Sequence, residues 1–239
     1  MYHIRDLIHF YSIVILNNKS LDMKTTSSPI GLLLMLGSVI LFLPSCAPVF
    51  SEMQSARMIG ENQFELAGSF SSVSFADDGE QEPVQTNTGL QVGYGISDKV
   101  DIRGRFEHIK VNDIDETVNV IGIGPKFSLV DRYMAFYIPV GNGLGDYNEN
   151  WQVHPTLLFT LPLAKDILEI TVAPKYLLTF CEGCDDGFAL NTGISVGELD
   201  RFAVRLEYGL LKNTAAFEEG QYNHISIGAA ITLGKKANR

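Results

Sequence analysis

Residues 223–233 read Asn-His-Ile-Ser-Ile-Gly-Ala-Ala-Ile-Thr-Leu, and the alternation in them decides the fold. Ile225, Ile227, Ala229, Ile231 and Leu233 fall on one side of an extended chain. His224, Ser226, Gly228, Ala230 and Thr232 fall on the other. A period of two belongs to a strand with unlike faces and not to a helix. The pattern recurs upstream. Phe202, Val204, Leu206, Tyr208 and Leu210 alternate with Arg201, Ala203, Arg205, Glu207 and Gly209, and Phe188, Leu190, Thr192, Ile194 and Val196 with Ala189, Asn191, Gly193, Ser195 and Gly197. One face is apolar throughout, the other small or polar.

Working outward, the same reading predicts ten strands at about 62–75, 85–96, 100–110, 117–129, 132–140, 151–162, 166–180, 187–197, 201–211 and 221–233. Four connections are short: Ser97-Asp98-Lys99, Val130-Asp131, Ala164-Lys165 and Glu198-Leu199-Asp200. Five are longer and polar: Ala76 to Val84, Val111 to Glu116, Gly141 to Asn150, Cys181 to Asp186 and Lys212 to Gly220. Short and long alternate along the chain. Trp151, Phe180, Phe188 and Tyr222 fall near the long loops, and Phe64, Phe127, Tyr133 and Phe202 near the short turns. The expected class is all-β, a closed antiparallel up-and-down transmembrane β-barrel of about ten strands. The alternatives are eight strands, or a soluble lipocalin-like barrel that holds an apolar ligand. An even strand count places both termini on the short-turn, periplasmic side. From residue 61 to 234 the chain resembles the small bacterial outer-membrane barrels, in pattern and not through a diagnostic motif.

The N-terminus reads as an address. A basic Lys24 precedes an apolar run from Ile30 to Leu43, shorter than the roughly 20 residues of a membrane-spanning helix and of the kind that opens a secretory signal. Leu43-Pro44-Ser45-Cys46 follows and resembles the lipobox of bacterial lipoproteins. That resemblance implies cleavage before Cys46 and acyl chains on it. The domain reading is then 1–22 a start-site extension, 23–45 the signal peptide, 46–60 a lipidated tether, 61–234 the barrel and 235–239 a basic tail.

Composition narrows the function. The 239 residues are 46% hydrophobic and 19% charged, with a formal net charge of −10. An acidic chain gains nothing from phosphate counterion release, so nucleic acid is not an expected partner. Expected partners are outer-membrane lipid and a small ligand or protein at the long loops, with the barrel a monomer in the bacterial outer membrane.

Charges on the polar faces form the candidate lumen network: Asp101, Arg103, Arg105, Glu107, Lys126, Glu169, Lys175, Arg205 and Glu207. In so narrow a barrel they must be paired or hydrated, with Gly89, Gly93, Gly122, Gly193 and Gly209 making room for long side chains. Cys181-Glu-Gly-Cys184 sits in a loop without a helix to activate a thiol or further ligands for zinc, and so reads as a disulfide pair. The spacing of Gly141-Asn142-Gly143-Leu144-Gly145-Asp146 matches neither a phosphate loop nor a calcium loop, and it reads as an exposed tip. No cofactor or metal is expected. His108, His154 and His224 raise a hydrolase alternative built on His224, Ser226 and Glu207. The expected function is a non-enzymatic, lipid-anchored outer-membrane barrel, structural or weakly pore-forming, its lumen largely occluded by paired charges.

Overall fold

The computed structural model describes residues 51–112, 116–144, 151–180, 185–213 and 220–234. Among them the strands are β1 (Phe64–Asp77), β2 (Glu80–Ser97), β3 (Val100–Val111), β4 (Glu116–Val130), β5 (Met134–Tyr137), β6 (Val140–Leu144), β7 (Trp151–Val153), β8 (Thr156–Ala164), β9 (Leu168–Phe180), β10 (Gly187–Glu198), β11 (Phe202–Asn213) and β12 (Gln221–Leu233). β5 and β6 are two pieces of one stave, parted at Ile138-Pro139. β7 and β8 are two pieces of the next, parted at His154-Pro155. Ten staves result. Each pairs antiparallel with the next, and β12 returns to β1 along its full length, Phe64↔Leu233 through Ala76↔Gln221. The sheet therefore has no free edge, which is what a β-structure in hydrocarbon requires.

The alternation read from the sequence is the alternation of inside and outside. Leu206, Ile227 and Ile123 are 50%, 53% and 60% exposed, whereas Glu207, Ser226 and Lys126 are buried. A soluble lipocalin-like barrel needs the reverse, an apolar interior, and that alternative is excluded. So is the eight-stranded one.

Several boundaries move. Ala76 to Val84 is not a long loop. β1 and β2 extend into it and meet at the two-residue turn Asp78-Gly79, with φ of 47° and 87°. Two positive φ values are the signature of the hairpin turn whose twist matches that of its strands. Gly141-Asn142-Gly143-Leu144 is likewise strand and not a tip, paired to β4 from Gly122↔Gly141 to Asn119↔Leu144. The signal region, Cys46, the Cys181–Cys184 pair and the basic tail lie outside the described residues.

The segment read as a tether is different in kind. From Ser51 to Ile59 every residue but Arg57 and Met58 is buried, and those two are half-buried. They fill the barrel. The wall gives way to them at glycines: a Cβ on Gly93 would strike the Ile59 side chain, and one on Gly95 would strike the Gly60 backbone. Room expected at Gly93 for the wall's own arginines is taken largely by this segment.

Candidate functional site

A chain segment inside a closed barrel cannot join the wall's ladder, because the wall has spent its backbone groups on itself. Its amides and carbonyls must still be met. Side chains pointing inward from the strands meet them. The Glu52 and Met53 amides donate to the two oxygens of Glu207, at 2.8 and 2.9 Å. The Ala56 amide donates to Thr160 Oγ1, and that of Ile59 to Asp101. Carbonyl oxygens of the segment accept in turn: Glu52 from Gln91 and Arg105, Met53 from Arg205, Ser55 and Arg57 from the Lys126 ammonium.

Two charged side chains of the segment are locked into the wall. Glu52 meets Lys175 Nζ at 3.3 Å and accepts from Thr156 and Gln54. Arg57 meets Glu169 at 2.6 Å, Asp166 at 3.0 Å and Asp200 at 3.2 Å. Further ion pairs run within the wall. Arg103 bridges Glu65 and Asp101 at 2.8 and 3.3 Å, Arg105 faces Glu107 at 3.4 Å, and Arg205 faces Glu65 at 3.6 Å.

All nine residues of the candidate network thus point inward, and seven of them bond the N-terminal segment directly: Asp101, Arg105, Lys126, Glu169, Lys175, Arg205 and Glu207. Sequence reasoning missed Glu52, Arg57, Glu65, Gln91, Thr156 and Thr160. The available signal was in the segment itself. Met53, Ala56, Met58 and Ile59 are too apolar for a solvated linker, which is rich in Gly, Ser or Pro.

The hydrolase constellation is also assembled. His224 Nδ1 lies 2.9 Å from Ser226 Oγ, and Nε2 lies 3.9 Å from Glu207 and 3.4 Å from Asn191 Oδ1. Its chemistry runs the wrong way. The Ser226 hydroxyl donates to Ser71 Oγ at 2.7 Å, so the proton that a base would remove is already engaged. Glu207 is committed to the Glu52 and Met53 amides, and all three side chains are buried. His154 bonds Gln152 at 2.9 Å within the lumen, while His108 faces outward, against Asn119. Among the described residues no group of acidic, histidine or cysteine side chains has metal-binding geometry.

No protein-family model matches the chain, and no curated protein matches it in sequence. Solved structures similar in fold include Ail, the attachment invasion locus protein of Yersinia pestis, 12% identical over 72% of this chain and 99% of that one, with a TM-score of 0.35. Neisserial surface protein A is 11% identical over 72% and 99%, with a TM-score of 0.35. The N-terminal β-barrel domain of Pseudomonas aeruginosa OprF is 11% identical over 73% and 99%, with a TM-score of 0.34. Function is better judged from the chain's own topology and lumen than from likenesses this distant.

Proposed function

We propose that the chain is a lipid-anchored barrel of the bacterial outer membrane, closed by its own N-terminal segment, without catalytic activity, offering its long loops to a ligand or partner. One observation carries the closure: residues 51–59 occupy the lumen with backbone and charged side chains bonded to the wall. The belt of outward apolar side chains supports the membrane, and the short turns fit the periplasmic side. Acylation rests on Leu43-Pro44-Ser45-Cys46. The test is planar-bilayer conductance. The full mature protein is expected to be silent, and a variant lacking residues 51–59 to show discrete conductance steps. Glu52→Ala with Arg57→Ala, which keeps the segment but removes its two side-chain locks, is expected to flicker open. Porin-like conductance in the unaltered protein would overturn the reading, as would silence in both folded variants.

A further inference from the structure

Four consecutive staves bring four inward positions directly opposite one another: Arg105↔Gly122, Gly122↔Gly141 and Gly141↔Gln152. The two middle positions carry no side chain. At other lumen glycines the room is taken. A Cβ on Gly89 would strike Ser69 and Glu107, and one on Gly209 would strike His224 and Asn191. A Cβ on Gly122 would meet only the backbone of the adjoining stave, the Val140 carbonyl oxygen at 3.5 Å. Nearest to one on Gly141 is the Ile121 carbonyl oxygen, at 3.0 Å. Neither the N-terminal segment nor a wall side chain takes the room that Gly122 leaves. A hollow of about 410 Å³ results, with Tyr137 on its short-turn side, Val120 on its long-loop side and His154 beside Gln152. That is the size of a small-molecule site.

The polar groups at this hollow are not spent. Arg105 gives Nη2 to the Glu52 carbonyl at 3.1 Å and turns Nε to Glu107 at 3.4 Å, which leaves Nη1 without an acceptor among the described residues. The Tyr137 hydroxyl also lacks a partner among them, although only 3% of the residue is exposed. Gln152 Oε1 accepts from His154 Nε2 at 2.9 Å, so the Gln152 amide nitrogen remains to donate. None of these three donors is among the atoms sealed in protein without a partner; they border the open space. A buried donor without an acceptor carries its full desolvation penalty. The nearby charges are matched, Glu107 facing Arg105 and Glu52 facing Lys175 at 3.3 Å. The open edge of the guanidinium therefore decides the sign of what fits.

We propose that this hollow binds a small organic carboxylate, its oxygens on Arg105 Nη1 and the Tyr137 hydroxyl and its body over Gly122 and Gly141. A charge-assisted bond from a guanidinium is the strong kind. Val120 and Pro139 give the body an apolar surface, and the Gln152 amide, across the glycines, is placed for a further acceptor on the ligand. A phosphate dianion fits less well, because it asks more charge of the site than one guanidinium edge already facing Glu107 can supply.

Equilibrium dialysis of radiolabelled isobutyrate and benzoate against the full protein in lipid nanodiscs tests this. Both acids are expected to bind saturably, and isobutyramide, the neutral counterpart, about tenfold or more weakly. Tyr137→Phe removes a hydroxyl that no described residue uses, so the fold is expected to keep its gel mobility while binding weakens about tenfold. Gly122→Leu fills the hollow and is expected to abolish binding. No saturable binding of either acid overturns the proposal. So does an amide bound as tightly as the acid, tighter binding of inorganic phosphate, or binding unchanged by Tyr137→Phe. Dialysis reads the hollow apart from conductance: a barrel that conducts and still binds would sink the closure and leave this site standing.

Discussion

Arg57 draws three carboxylates, from Glu169 in β9 and from Asp166 and Asp200 in two different short turns, onto one guanidinium. Its planar fork suits this convergence better than a lysine would. The hydrogen bond from Arg57 holds the Asp166 carboxyl below its ordinary value, and the Arg132 charge beside it adds to the effect. A carboxyl with a depressed folded value stabilises the fold above the ordinary carboxylate range and loses that contribution as the pH falls through the depressed value. Asp166→Asn is therefore expected to melt about 1–3 °C below the unaltered protein at neutral pH, the modest effect of a partly exposed pair. The gap should close in acid; one that persists unchanged to low pH would place the effect elsewhere. Arg57 also marks what the sequence hid. Asp101, Arg103 and Glu107 were legible because each occupies an alternate position in a strand, so period alone points it inward. Glu52 and Arg57 sit in a segment without a period, where a charge reads as solvated. Only the unmet backbone of that segment explains why the wall needs so many donors.

Pro125, Pro139, Pro155 and Pro174 stand on four consecutive staves. A proline keeps its carbonyl but has no N–H. At three of them the ladder accordingly keeps a bond running to the proline: Ile138 to Pro125 at 3.1 Å, His154 to Pro139 at 3.0 Å and Tyr176 to Pro155 at 3.1 Å. Pro174 faces Leu157, and the β8–β9 ladder passes from Thr156↔Lys175 to Phe159↔Val172 without pairing there. A diagonal seam of half-made pairs results. Each missing bond forgoes about 0.5–1.5 kcal/mol, so amides near this seam are expected to exchange with deuterium about tenfold or more faster than those in the middle of β1, β2, β11 and β12. Pro139→Val, which restores a donor toward His154, should slow exchange at residues 138–142 and 153–156; no change would show that the seam does not govern opening. The stave expected as one strand over 132–140 is accordingly parted along this seam into β5 and β6. Proline alone does not break a stave, since Pro83, Pro125, Pro162 and Pro174 all lie within strands. The breaks fall where Pro139, opposite His154, and Pro155 come diagonally next to each other across one ladder, and a single sequence does not display that adjacency.

For the molecule as a whole, the exterior decides what solvent it was built for. Ile194, Leu206, Ile227 and Phe70 are directly opposite one another on β10, β11, β12 and β1, and all face outward. The row crosses the middle of each strand, so in a bilayer it lies near the midplane, with Leu233 and Phe202 toward the rim. An arginine on the lipid face costs about 2–4 kcal/mol at the midplane and about 0–1 near the interface. Leu206→Arg is therefore expected to lower unfolding stability in lipid vesicles by about 2–4 kcal/mol, and Leu233→Arg by less than about 1. The comparison cancels what the two substitutions share, lost apolar area and added charge, and leaves depth as the variable. In water the depth term is absent, and replacing an exposed leucine by arginine changes stability little at either position. Equal costs at Leu206 and Leu233 would mean that the apolar exterior meets something other than a membrane.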